Sequence, residues 1–166
     1  MTGSVARTAA AAIGGIAAMA GVLWAAAPAP LAAQDNQPPY WASIAAERAV
    51  MRRGPAREMA AMWEYRRPGL PIKIVALHEE WRQVQEPDGT TGWMHRSLLS
   101  GRRTAIVTRN RAAMRVSPSP EAPIAYHAEE GVVGRLGDCD DGWCAFDVLG
   151  RSGYIAADHI WGDGAP

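Results

Sequence analysis

Cys139 and Cys144 are the chain's only cysteines, and Asp140-Asp141-Gly142-Trp143 lies between them. A loop of that length lets the two thiols face each other across a hairpin, which points to a structural disulfide. Closing so small a ring stabilises by roughly 2 kcal/mol in the loop-entropy picture, a useful amount for a small domain. Two rival chemistries fit the pair less well. A redox dithiol ordinarily has two residues between its cysteines and a helix start that lowers the thiol pKa. Zinc needs two more ligands, and His127 and His159 have no paired spacing. A cysteine held in a disulfide cannot act as the nucleophile of a Cys-His peptidase. Ser97 and Ser100 stand beside His95 with no acid at a recognisable spacing. No catalytic residue, metal site or cofactor is therefore assigned, and the expectation is a protein that binds without catalysing a reaction.

The residues best suited to binding are aromatic and basic. Trp63, Tyr65, Trp81 and Trp93 are a large apolar resource for a short segment, and Arg52, Arg53 and Arg66 lie among them. Some of these rings must fill a core. Yet Trp63 and Tyr65 fall on one side of a strand, so an outward cluster beside the arginines would form a groove for an extended peptide with a carboxylate. Later in the chain the corresponding set is Tyr126, Trp143, Phe146 and Tyr154, set among acids. The first half is thus expected to bind, and the second to stabilise it or to contact a partner.

Elements that would position these residues begin after the N-terminal stretch. Residues 1–33 carry Arg7, then an alanine-rich apolar run ended by Pro28 and Pro30, then Leu31-Ala32-Ala33. This is the pattern of a signal peptide cut after Ala33, and the run is also just long enough to be an uncleaved anchor. Either way export to the periplasm is expected, with no membrane span once the signal is cut. The formal net charge is +0, so no overall positive excess speaks for nucleic acid. The charge is uneven: cations outnumber acids up to Arg103, and acids outnumber arginines from Thr104 onward.

The chain repeats itself. Arg48-Ala49-Val50-Met51-Arg52 is matched by Arg111-Ala112-Ala113-Met114-Arg115, Gly69 by Gly131, Trp81 by Trp143, Gly92-Trp93 by Gly153-Tyr154, and Leu98-Leu99 by His159-Ile160. The spacing between partners shortens stepwise and only where loops are expected, as in a duplicated fold with trimmed turns. Within each unit, short β-branched or aromatic runs alternate with turn residues. Ile72 to Leu77 follows Pro68-Gly69, and Pro87-Asp88-Gly89-Thr90 leads into Thr91 to Met94. Five or six strands of this size close most readily into a small barrel, which removes exposed edges. The predicted fold is all-β, two tandem SH3-like barrels at residues 40–107 and 108–161, with flexible ends at 34–39 and 162–166. Residues 102–107 are expected to finish the first barrel.

These features resemble bacterial SH3-like domains, in particular exported proteins of Gram-negative bacteria that carry two of them. In the first unit the resemblance rests on Val50-Met51-Arg52 with Gly54-Pro55, Pro68-Gly69-Leu70-Pro71, Trp81-Arg82-Gln83-Val84, Gly92-Trp93-Met94-His95 and the run Leu98 to Arg103. In the second it rests on Gly131-Val132-Val133-Gly134, Cys139 to Cys144 and Ile160-Trp161-Gly162. Met51 and Met114 stand where the family has a smaller or polar residue, and Tyr154 where it has Trp. The resemblance implies an envelope-binding or scaffolding module whose partner is cell-wall peptide, or another envelope protein.

Overall fold

A computed structural model describes residues 37–166. The signal segment at 1–33 lies outside the described residues, as does the start of the segment at 34–39. Among the described residues no helix is long and apolar enough to cross a membrane.

The strands are β1 (Tyr40–Ile44), β2 (Ala49–Arg52), β3 (Ala61–Tyr65), β4 (Pro71–His78), β5 (Trp81–Gln85), β6 (Thr91–His95) and β7 (Leu99–Ser100), then β8 (Thr104–Val107), β9 (Ala112–Arg115), β10 (Ile124–Ala128), β11 (Val133–Asp140), β12 (Trp143–Val148), β13 (Arg151–Ala156) and β14 (Ile160–Trp161). Two single-turn 3-10 segments, Arg96–Leu98 and Ala157–His159, precede β7 and β14. The first seven strands form one sheet in the order β3-β2-β6-β5-β4-β1-β7, and the last seven form a second in the order β10-β9-β13-β12-β11-β8-β14. The two orders are the same when strands are counted from the start of each sheet. The architecture is all-β with two tandem SH3-like units.

The glycine and methionine matches in the sequence repeat have a physical reason. Gly69 and Gly131 both adopt left-handed backbone, at φ 87° and 79°, and each donates its N–H to the end of its unit's first strand, at the Ile44 and Val107 carbonyls. A residue with a side chain is disfavoured there. Gly92 and Gly153 are fixed by close approach. A Cβ on Gly92 would lie 2.4 Å from Met51 Cγ, and one on Gly153 would lie 3.0 Å from the Arg115 carbonyl and 3.3 Å from Met114 Cβ. Met51 and Met114 are core residues at 1% and 2% exposure, seated over those glycines.

Alternation along the strands builds one core per unit. The first contains Ala42, Ile44, Met51, Tyr65, Ile74, Val84 and Met94, and the second Val107, Met114, Leu136, Phe146, Ile155 and Ile160. Leu149 and Gly150 at φ 53° and 87°, and Asp141 and Gly142 at φ 46° and 77°, make the tight two-residue turns that match strand twist.

The boundary between the units differs from the expectation. Thr104–Val107 does not close the first barrel. It is β8, paired with β11 and β14, and it occupies in the second sheet the place that β1 occupies in the first. The strand completing the first sheet is β7, bonded to β1 through Ser43↔Ser100 and Ile44↔Leu99. The units are also packed together. Trp41 and Trp161 meet edge to face at 4.7 Å, and Arg67 donates to the Gly131 carbonyl at 3.0 Å. The segment after Trp161, expected to be a flexible end, hydrogen-bonds instead. Trp41 Nε1 donates to the Gly164 carbonyl at 3.2 Å and Arg103 to the Gly162 carbonyl at 2.9 Å.

Candidate functional site

In β5 the core residue is Val84, so Trp81, Gln83 and Gln85 point to the opposite face. Cross-strand pairing sets Trp81 beside His95, and Gln83 beside Trp93. On β2, Ala49 and Met51 enter the core, which leaves Val50 and Arg52 on that same outer face. The result is a cleft of about 430 Å³ lined by Arg48, Val50, Arg52, Arg57, Trp81, His95, Ser97 and Leu98. Trp81 is its rigid wall: only 9% exposed, it packs edge to face on the His95 ring at 5.5 Å.

The cleft's charge is positive and its parts are held to different degrees. Arg48 pairs with Glu64 at 2.6 Å, and the same carboxylate takes Arg66 at 2.8 Å. Hydrogen bonds from Arg48 and then Arg66 hold Glu64 below the usual carboxylate range. Arg52 donates to the Met59 carbonyl at 2.7 Å. Its counterpart Arg115 donates to the Ala122 carbonyl, so the repeated Met-Arg pair braces the same loop in both units. Arg57 is exposed and has no ion pair among the described residues. It is the cation most available to a ligand carboxylate.

His95 and Ser97 are tied to each other. The Ser97 hydroxyl lies 2.7 Å from His95 Nδ1, and the Ser97 amide donates to the same nitrogen at 3.3 Å. The imidazole thereby caps the 3-10 turn Arg96–Leu98. Ser100 does not join them, since its hydroxyl pairs with that of Ser43 at 2.9 Å.

The groove expected from sequence is thus redrawn. Arg52 and Trp81 do come together, and Trp93 is next to them on the sheet, paired with Arg52 and edge to face with His78 at 6.2 Å. Tyr65 is not in the groove. It is 7% exposed, within the core, where burial and the neighbouring Glu86 push its phenol up. Trp63 shares its side of β3 but is 61% exposed, because β3 is an edge strand whose first half extends past the core. Arg53 is exposed away from the cleft lining, and Arg66 is spent on Glu64. Arg48, Arg57, His95 and Ser97 line the cleft without having been expected in the groove, His95 and Ser97 having been weighed only as a catalytic pair. Alternation from Arg52 through Val50 would have indicated Arg48, whereas Arg57 sits in a turn with no period to reveal it.

In the second unit Cys139 and Cys144 face each other across β11 and β12 and are joined by a disulfide. Leu77 and Arg82 hold the same cross-strand positions in the first unit. Cys144 is fully buried among the core side chains, so the bridge ties the exposed hairpin tip to the core. Reduction by dithiothreitol is expected to destabilise the protein by roughly 2 kcal/mol, read as a lower midpoint in urea unfolding. An unchanged midpoint would show that the bridge restrains nothing that the strands do not already hold. Among the described residues no cluster of three or more His, Cys, Asp or Glu side chains is placed to hold a metal ion.

No curated protein matches the chain. Among solved structures it is similar to NlpC2 of Trichomonas vaginalis at 14% identity and TM-score 0.34, over 75% of this chain and 48% of that one. It is similar to NlpC1 of the same organism at 15% identity and TM-score 0.35, over 81% and 51%. It is also similar to an NlpC/P60 family protein from Bacillus cereus at 12% identity and TM-score 0.33, over 74% and 56%. The chain spans about half the length of these structures. The family model described as the bacterial SH3 domain matches residues 45–101 and again 108–162, one match falling in each sheet. With more than half of its length matched in this way, the chain belongs to the bacterial SH3 domain family.

Proposed function

We propose that the protein is a non-enzymatic binding or adaptor protein of the periplasm, and that its first barrel takes an extended, carboxylate-bearing peptide of the cell wall. The observation that carries this reading is the cleft walled by Trp81 and edged by Arg48, Arg52 and Arg57. An indole gives a flat apolar surface at little entropic cost, and guanidinium groups at its edge suit a carboxylate. Membership of the bacterial SH3 domain family supports the same reading. The residues nearest to a catalytic pair have other employment: the His95 ring caps the turn that contains Ser97, and both cysteines are oxidised.

The test is retention on purified cell-wall sacculi. Arg57→Glu is expected to reduce retention about tenfold, the loss of one charge-assisted contact, without changing the melting temperature, since Arg57 is exposed. Trp93→Ala is expected to act in the same direction. Retention that is unaltered in both variants would remove the reading. A second reading, that the protein binds another envelope protein, is favoured by an apolar cavity on the second barrel.

A further inference from the structure

The outer face of the second barrel holds a cavity of about 480 Å³ lined by Val116, Arg135, Gly137, Ala145, Asp147 and Tyr154 among others. It exists because small residues stand where the first unit has larger ones. Ala145 pairs with Tyr154 as Gln83 pairs with Trp93, so Ala145 replaces a glutamine and Tyr154 a tryptophan. Gly137 lies in the bulge of β11, with Ala145 Cβ only 3.1 Å from where its own Cβ would be. The position opposite Ser152 is Asp147, where the first unit has Gln85 opposite Thr91.

Asp147 is the cavity's one carboxylate, and it is firmly aimed. Its Oδ2 accepts from the Ser152 hydroxyl at 2.7 Å and its Oδ1 from the Gly150 amide at 3.3 Å. These bonds, with Arg135 nearby, keep it below the usual carboxylate range. Arg135 approaches only to 3.7 Å, and its side chain is 71% exposed, so this pair exchanges readily with a competing cation. Arg135 and Ser152 are themselves lining residues, and the other walls are hydrocarbon and the ring of Tyr154. An apolar guest would leave the Asp147 carboxylate facing hydrocarbon, whereas a cationic guest can take the place of the loosely held, exposed Arg135. A long apolar stem ending in a cation satisfies both parts.

We propose that this cavity binds the side chain of a lysine presented by an extended partner peptide, with the stem against Gly137, Ala145 and Tyr154 and the ammonium on Asp147. The excess of acids from Thr104 onward attracts such a basic segment before it docks. The two barrels then recognise opposite charge, carboxylate on the first and cation on the second.

The test is an amide-resolved NMR titration with three probes: the capped peptide Ala-Ala-Lys-Ala-Ala and its versions with norleucine or glutamate at the centre. Norleucine keeps the stem and removes the charge. The lysine peptide is expected to shift the amides of Gly137, Ala145, Ser152 and Tyr154 and to bind about tenfold more tightly than the norleucine peptide. Asp147→Asn should erase that preference. Ala145→Gln, which installs the first barrel's own residue, should abolish binding of both peptides while the melting temperature is kept. Equal affinity for lysine and norleucine, or lysine binding that survives Ala145→Gln, would overturn the proposal, as would the absence of saturable shifts. Failure of the wall-peptide reading is seen separately, since that site reports through Arg57 and Ser97.

Discussion

Gly134→Ile is expected to destabilise the protein by about 3 kcal/mol, and Phe146→Val added to the same molecule to restore most of the loss. Gly134 and Phe146 are the second unit's versions of Ile72 and Val84, all of them core positions. A Cβ on Gly134 would sit 2.5 Å from Phe146 Cζ and 2.7 Å from the Asp147 carbonyl, inside any real contact distance. One barrel fills this space with an isoleucine and a valine, the other with a phenylalanine and nothing. Overpacking typically costs 1–3 kcal/mol, and a clash with both ring and backbone belongs at the top of that range. Phe146→Val alone leaves a void and should cost about 2 kcal/mol. The check is a double-mutant cycle by urea unfolding, in which the two changes must couple by about 4 kcal/mol in the favourable direction if the double variant is to end only about 1 kcal/mol below the parent. Additive losses would mean that the barrels are packed by unrelated solutions.

Trp161→Ser should cost about 3 kcal/mol and separate the melting of the two barrels. Serine is what the first unit has at this position: Ser43 and Ser100 are paired there, where the second unit pairs Ile106 with Trp161. The apolar pair is thus particular to the second barrel, and Trp161 meets Trp41 of the first at 4.7 Å. Removing a packed indole costs 3–5 kcal/mol in a full core, and the half-buried position places this change at the low end. Calorimetry should show one transition in the parent and two in the variant. A single transition at an unchanged temperature would show that the barrels are coupled elsewhere.

The duplication was legible because its markers are residues the backbone requires, Gly69 and Gly131 for their sign of φ, Gly92 and Gly153 for the methionines above them. The disulfide was legible because a short loop leaves two cysteines few other geometries. The strand Thr104–Val107 was assigned to the wrong barrel for a related reason. Every repeat marker lies after the first strand of its unit, so nothing in the pattern showed where a unit begins, and Tyr40–Ile44 shares with Thr104–Val107 only the alanine of Ala42 and Ala105. Trp63 and Tyr65 illustrate the limit of alternation. It gave them a common side correctly, but depth along an edge strand depends on where the core ends, and there Tyr65 is buried and Trp63 is not. Charge balance gave the basic character of the first half, while which arginine stays free depended on Glu64 and the Met59 carbonyl.

The bond from Trp41 to Gly164 spans 123 positions of the chain. A contact of that separation closes a very long loop and so forms late. Until Trp161 and Gly162 arrive, the earlier barrel presents a bare indole beside an unbraced Arg103. A chain emerging from its N-terminal side therefore passes through a stage with a sticky flank, and a version cut before Trp161 would be held there, prone to clump although its first sheet is complete.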